Sequence, residues 1–228
     1  MNNKYKNRAH FGVKKFREIL HLFCVDITAT NTAEITGINR NTINKLFNAF
    51  RNRILEISIN DSYCNEKGIF ELDESYFGAK RIRGKRGRGA AGKTPVFGVL
   101  KRDNNKVFVS IVNNCSREQL MPIIQGKILE NSTIYTDGWK AYDGLILNGY
   151  DHYRIFHSEN EFARGKNHVN GIESFWAFAK RRMSKFNGLT EDKFILHLKE
   201  TEFRWNLIDK EYMYKYLLKE FRNKPLKC

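Results

Sequence analysis

Asp73, Asp137, Glu173 and Lys180 are the residues whose types and order can do chemistry in this chain. Asp73 sits in Leu72-Asp-Glu-Ser-Tyr-Phe-Gly78, Asp137 closes Ser132-Thr-Ile-Tyr-Thr136, and Glu173 lies in His168-Val-Asn-Gly-Ile-Glu-Ser-Phe-Trp176. Carboxylate oxygens suit Mg²⁺, a hard ion that prefers oxygen ligands and water. Two such ions about 4 Å apart can activate an attacking oxygen and stabilise the leaving one in an in-line displacement at phosphorus. Three carboxylates are a natural minimum for that pair and need no cysteine or histidine. Without metal their mutual repulsion would raise at least one pKa; a cation removes that cost. Lys180 follows Glu173 by two helical turns, so both fall on one helix face, where the ammonium can hold a phosphate beside the ions. Singly, Asp73 reads as a strand-end carboxylate in water, and Glu173 with Lys180 as a solvated helix face. Jointly they predict phosphoryl transfer on DNA, with two Mg²⁺ as cofactor and Mn²⁺ able to substitute.

The elements that must position these groups follow from periodicity. Residues 68–78 alternate as a strand, with Phe70 and Leu72 on one side and Glu71 and Asp73 on the other; Glu74 then faces away from Asp73. Strands are expected at 94–101 and 106–112, joined by the turn Arg102-Asp-Asn-Asn105, and with the first they form an antiparallel meander. A helix over 116–129, a strand over 132–136, a helix over 139–147 and a strand over 150–156 follow. Helices are expected over 168–186, with Ile172, Phe175, Trp176 and Ala179 inward, and over 191–207 and 209–223. Three strands, a helix, a strand, a helix, a strand and then helices is the element order of a ribonuclease H-like α/β fold, a mixed sheet flanked by helices. In that fold the first and fourth strands are neighbours, so Asp73 and Asp137 would adjoin and Glu173 would reach them from a later helix.

A small all-α domain precedes it. Residues 11–25 read as an amphipathic helix, and 30–47 have helix-turn-helix spacing, with Ala33 small at the helix crossing, Gly37 in the turn, and Ile38 and Ile43 inward. Asn39 can cap a second helix running to about residue 55, whose outer face carries Arg40, Asn41, Asn44 and Lys45, suited to phosphates and base edges. The expected domains are 1–57 (helix-turn-helix), a polar linker 58–67, 68–208 (catalytic) and 209–228 (a basic C-terminal helix).

Charge points to the same partner. Forty Lys and Arg against 25 Asp and Glu give a formal net charge of +15, which favours a polyanion. The basic residues cluster: Lys80, Arg81, Arg83, Lys85, Arg86, Arg88 and Lys93 lie in one glycine-rich stretch able to follow a phosphate backbone, and Arg181 and Arg182 follow Lys180. Gly87, Gly92, Lys93 and Thr94 fit the P-loop pattern, but a strand follows from Pro95 where a P-loop needs a helix, so no nucleotide cofactor is expected. His157 and His168 are read as structural or exposed, and Trp139 and Trp176 as core in preference to base-stacking platforms. Cys24, Cys64, Cys115 and Cys228 are scattered, giving neither a zinc site nor a disulfide framework. The N-terminus lacks the apolar stretch of a signal peptide and no run approaches a membrane span, so a cytoplasmic protein without membrane contact is expected.

Four motifs together, Leu72-Asp-Glu-Ser-Tyr-Phe-Gly78, Arg86-Gly-Arg-Gly-Ala-Ala-Gly-Lys-Thr-Pro-Val-Phe-Gly98, Tyr135-Thr-Asp-Gly-Trp-Lys-Ala-Tyr142 and His168-Val-Asn-Gly-Ile-Glu-Ser-Phe-Trp176, resemble the ISXO-like group of bacterial insertion-sequence transposases over roughly residues 68–206. The resemblance implies a DDE-type transposase that binds the element's terminal inverted repeats as double-stranded DNA and carries out Mg²⁺-dependent cleavage and strand transfer into target DNA. It further implies a homo-oligomer on DNA and association with the bacterial nucleoid when bound. Some relatives are described with Asn in place of the third acidic residue, which makes Asn170 a rival to Glu173; the carboxylate binds metal better and is preferred. Many relatives carry a zinc ribbon before the helix-turn-helix, and its cysteines are missing here, so end recognition is expected to rest on the helical domain. The alternatives are a DNA-binding regulator that keeps the fold without activity, and a structure-specific nuclease without strand transfer.

Overall fold

The computed structural model describes residues 3–7, 10–60, 66–78, 93–137, 142, 144–155, 170–186 and 188–227. The chain divides into two compact units, Asp61–Asn206 on one side and Met1–Asn60 with Leu207–Cys228 on the other.

The larger unit is built on a five-stranded sheet: β1 (Ile69–Gly78), β2 (Lys93–Lys101), β3 (Lys106–Ile111), β4 (Thr133–Asp137) and β5 (Asp151–Ile155). The spatial order is β3-β2-β1-β4-β5. β1, β2 and β3 pair antiparallel, and β4 and β5 add in parallel on the far side of β1. This is the ribonuclease H-like arrangement that the element order predicts, with the first and fourth strands adjacent. Alternation gives each strand two faces. Phe70 and Leu72 of β1, Phe97 and Val99 of β2 and Ile134 of β4 form one core with Leu120, Ile124 and Ile128 from α4 (Arg117–Lys127) and the residue after it. On the other face Phe77, Val96, Leu100, Val107 and Val109 meet Ile172, Phe175, Trp176 and Ala179 of α5 (Asn170–Met183) and Phe194 and Leu198 of α6 (Glu191–Asn206). Burying a side chain such as Leu72 or Phe97 contributes about 1.5–3 kcal/mol, so the two apolar layers clamp the sheet from both sides.

The helix α6 also closes an edge of the sheet. The β3 residue Val109 donates its main-chain N–H to Glu202 Oε2 at 2.8 Å. Asn206 accepts the Val107 N–H and donates to the Val107 carbonyl, both at 2.8 Å, as a neighbouring strand would. A sheet edge left bare is a template for pairing with another chain; here side chains occupy it.

The smaller unit contains α1 (Val13–Cys24), α2 (Ala29–Thr36), α3 (Arg40–Asn60) and α7 (Lys210–Asn223). Phe16, Ile19, Leu20, Phe23 and Cys24 line the buried stripe of α1 at helical spacing. They meet Phe47 and Phe50 of α3, and Phe221 of α7 stacks on Phe50 with ring centres 5.0 Å apart. The C-terminal helix, expected to stand apart from the N-terminal domain, is therefore a wall of its core, and α3 extends past the expected boundary at 57 to Asn60. Gly37 turns the chain between α2 and α3 at φ +68°, a left-handed conformation that suits glycine. The Asn39 side chain accepts the Asn41 N–H at 2.8 Å and opens α3. Of the segment expected as a helix over 139–147, residues 139–141 and 143 lie outside the described residues; Tyr142 is 3₁₀, and a 3₁₀ turn at Ile146–Asn148 is ended by Gly149 at φ +79°.

Candidate active site

Parallel pairing of β1 with β4 builds the centre of the site. Its register runs from Ile69 opposite Thr133 to Leu72 opposite Thr136, so the next residues along, Asp73 in the middle of β1 and Asp137 at the end of β4, stand side by side. Both side chains leave the sheet on the face opposite Leu72 and Ile134, towards α5. Trp176 of α5 reaches across and donates its indole N–H to Asp73 Oδ2 at 3.0 Å. Gly98, opposite Asp73 on β2, makes room for it: a Cβ there would lie 2.6 Å from Trp176 Cζ2. Trp176 is buried, as a core reading expects, and its polar edge holds an acidic residue; Trp139 lies outside the described residues.

The electrostatics are those of a largely buried carboxyl group with other acids near it. The Asp73 pKa is raised from 3.8 to about 6. Burial is the main cause, opposed by the Glu74 main-chain N–H; the Asp137 charge raises it further, the Trp176 indole opposes, and the Glu173 charge adds a last increment. All three predicted acids thus act on one carboxyl group. Among the described residues, however, no three carboxylate, imidazole or thiol groups stand close enough to hold a metal ion as a set. Asp73 and Asp137 are neighbours, while Glu173 sits exposed in the first turn of α5 and is felt through its charge. The donor chemistry fits a hard divalent cation: oxygen ligands only, one half-buried, with like charges that a cation would relieve.

Glu74 points to the opposite face, as alternation requires, and accepts a hydrogen bond from the fully buried Tyr142 hydroxyl. Burial, then the Glu74 charge, pushes the Tyr142 pKa well above its ordinary value, so the phenol stays a donor that ties the chain after Asp137 back to β1. Glu71, two residues before Asp73 and on its face, is buried; sequence reasoning placed it on that face but assigned it no part in the site.

The remaining predicted residues separate clearly. Asn170 begins α5 and is exposed; Lys180 and Arg181 are exposed near its end, with Lys180 on the same helix face as Glu173. Arg182 is a correction. It is 3% exposed, pairs with Glu200 Oε1 at 2.6 Å and donates to Thr201 Oγ1 at 2.9 Å, so its guanidinium joins α5 to α6 and does not face DNA. A run of basic residues on a helix cannot all point outward, and position 182 follows the buried stripe of Ile172, Phe175, Trp176 and Ala179. On α3, Arg40, Asn41, Asn44 and Lys45 are all exposed, opposite the buried Ile43, Leu46, Phe47 and Phe50. Lys93 is exposed at the start of β2; Lys80, Arg81, Arg83, Lys85, Arg86, Arg88, His157 and His168 lie outside the described residues. No helix among the described residues is long and apolar enough to cross a membrane.

Comparison with known proteins places the chain in a family. Over 101 residues the chain is 44% identical to a transposase-like protein of Haemophilus influenzae, covering 44% of this chain and 81% of that one. Over 153 residues it is 29% identical to a protein of the transposable element ISH50 of Halobacterium salinarum, covering 60% of this chain and about half (52%) of that relative. Among solved structures, the HTLV-2 integrase catalytic core domain in complex with magnesium is similar at 13% identity and a TM-score of 0.38, covering 60% of this chain and 84% of that one. The BIV integrase catalytic core domain matches at 9% identity and a TM-score of 0.38, over 62% of this chain and 82% of that one. The model of the ISXO2-like transposase domain matches residues 66–206, the span that holds the sheet, both aspartates and α5, and the chain belongs to that family.

Proposed function

We propose that this protein is a DDE-type transposase that binds the terminal inverted repeats of its own insertion sequence, cuts the DNA there and joins the freed 3′ ends to target DNA. The observation that carries the reading is the register of β1 with β4, which sets Asp73 beside Asp137 while the Glu173 charge reaches Asp73 from α5. Asp73, Asp137 and Glu173 would hold the ions, Mg²⁺ or Mn²⁺, and bound metal would supply an activated oxygen nucleophile and charge stabilisation at phosphorus. Glu173 is preferred to Asn170 as the third ligand because it is a carboxylate and its charge already acts on Asp73. Trp176 orients the Asp73 carboxylate by engaging one oxygen. Lys180, exposed on the Glu173 face of α5, holds the phosphate next to the cut, and Arg181 and Lys93 extend the contact along the backbone. The basic, glycine-rich stretch from Lys80 to Lys93 guides the DNA backbone, on the strength of its composition. On the helical unit, the α3 face of Arg40, Asn41, Asn44 and Lys45 reads the repeat. Joining two ends requires more than one copy on DNA, and the protein acts on the nucleoid inside the bacterial cell.

The test is strand cleavage of DNA carrying the element's ends, in Mg²⁺, by the intact protein and by Asp137→Ala. Nicking at the ends that needs metal and disappears in the variant supports the reading, and joining to added target DNA separates a transposase from a nuclease. Specific binding with no cleavage in Mg²⁺ or Mn²⁺ would overturn it and leave a DNA-binding regulator.

A further inference from the structure

β1 grips α5 at two points. The second is Glu71, whose carboxylate is 2% exposed. Its Oε2 accepts the Ile172 main-chain N–H at 2.9 Å, inside the first turn of α5 and one residue before Glu173. Its Oε1 accepts from Arg102 Nε at 2.7 Å. The Arg102 guanidinium lies 3.9 Å from the centre of the Tyr135 ring, on β4 two residues before Asp137. One buried charge therefore ties the helix that carries Glu173 to the turn after β2 and, through Arg102, to the strand that carries Asp137. Residues 71 and 73 are roughly 7 Å apart along a strand, and 172 and 176 are about 6 Å apart along a helix. The Glu71–Ile172 and Asp73–Trp176 bonds thus run side by side and fix both the height and the rotation of α5. The first turn of a helix presents unsatisfied N–H groups and partial positive charge, which explains a carboxylate here. The approach is close: a Cβ on Gly171 would lie 3.0 Å from Glu71 Oε2 and 3.0 Å from Leu100 Cδ2.

We propose that Glu71 is a positioning residue for the metal site: by holding the first turn of α5 against Arg102, its carboxylate sets where Glu173 stands relative to Asp73 and Asp137. The proposal rests on the reading of those three acids as metal ligands. Glu71 is not a fourth ligand, because each of its oxygens already faces a donor within the protein.

The test is binding of Mn²⁺ alone, by calorimetry and electron paramagnetic resonance, to the full chain without DNA. Wild type, Asp137→Ala, Glu71→Gln and Gly171→Ala are compared, with thermal unfolding of each. Gly171→Ala keeps every hydrogen-bonding group and places a better helix former in α5. The added Cβ crowds Glu71 Oε2 and Leu100 Cδ2 at 3.0 Å, so a merely structural part for Glu71 predicts lower thermal stability with unchanged Mn²⁺ affinity for that variant. Mispositioning of Glu173 predicts affinity lower by about ten-fold or more in both Glu71→Gln and Gly171→Ala. It also predicts a lower kcat for cleavage with KM for DNA within about two-fold of wild type, since the DNA-holding residues are untouched. Wild-type Mn²⁺ affinity in folded Glu71→Gln or in Gly171→Ala overturns the proposal; should Glu71→Gln not fold, Gly171→Ala decides alone. Equal Mn²⁺ binding by wild type and Asp137→Ala, or none by wild type, overturns the metal reading itself and this proposal with it.

Discussion

Replacing Asp73 by Asn is expected to stabilise the metal-free protein, by an amount that grows with pH. The Asp73 carboxyl has its pKa raised from 3.8 to about 6. Between those values the folded protein keeps a proton that the unfolded chain has released, so wild-type stability falls as pH rises through the window and levels off above it. At about 1.4 kcal/mol per pH unit, the gap corresponds to a loss of about 3 kcal/mol near neutrality. Asn retains a carbonyl oxygen to accept the Trp176 indole N–H and removes the charge that burial and the neighbouring acids oppose. Asp73→Asn should therefore match wild type near pH 4 and exceed it by about 3 kcal/mol at pH 7 to 8, a gain of roughly 6–12 °C in Tm for a unit of this size. Urea unfolding in chelator, followed by tryptophan fluorescence, reads the right unit, because Trp139, Trp176 and Trp205 all fall within Asp61–Asn206. Saturating Mg²⁺ should then raise wild-type stability, by about 2.7 kcal/mol at a hundred times Kd, and do much less for the variant. A variant no more stable than wild type at pH 8, or a difference that does not change with pH, would refute the view that crowding and burial of carboxylates dominate this site.

Other outcomes follow from single contacts. Gly98→Ala, which puts a Cβ 2.6 Å from the Trp176 ring, should cost about 1–3 kcal/mol in denaturant unfolding and lower cleavage activity. Arg182→Ala should cost about 3 kcal/mol by leaving the buried Glu200 with Arg204 as its remaining arginine, and leave DNA affinity unchanged in a filter-binding assay. Its exposed neighbour should behave oppositely: Arg181→Ala changes stability by less than about 0.5 kcal/mol and weakens DNA binding with a shallower salt dependence. Asn206→Leu removes both side-chain bonds to Val107 and should lose about 1–3 kcal/mol, with concentration-dependent aggregation visible by light scattering.

The sheet and the Asp73–Asp137 pair were legible in the sequence because strand alternation and element order are local patterns with few topological solutions. Alternation alone put Glu71 and Asp73 on one face and Glu74 on the other, where Tyr142 meets it. What Glu71 does there was not legible: its partners, Ile172 and Arg102, come from distant segments, and nothing near position 71 marks a helix start. Arg182 was misread for a related reason. Beside Lys180 and Arg181 it looked like one more surface cation, and only the phase of α5 turns it inward to Glu200. The partner of α7 was equally hidden, since Phe221 packs on Phe16 and Phe50, far away along the chain. Where the expected helix over 139–147 is described, at Tyr142 and from 144 on, it has 3₁₀ and turn geometry: Tyr142 is pinned to Glu74, and Gly149 in its left-handed conformation closes the segment.

The place of Phe221 has a consequence for how the protein is made. The aromatic core that joins Phe16, Phe23, Phe47 and Phe50 is completed by a ring that the ribosome adds after every residue of the sheet. During synthesis the sheet unit has all its strands and helices while the helical unit still lacks one wall. The part proposed to grip the element's ends is therefore finished last. A messenger interrupted between Asn206 and Phe221 would yield a chain with its sheet and carboxylates in place and no closed core in the helical unit.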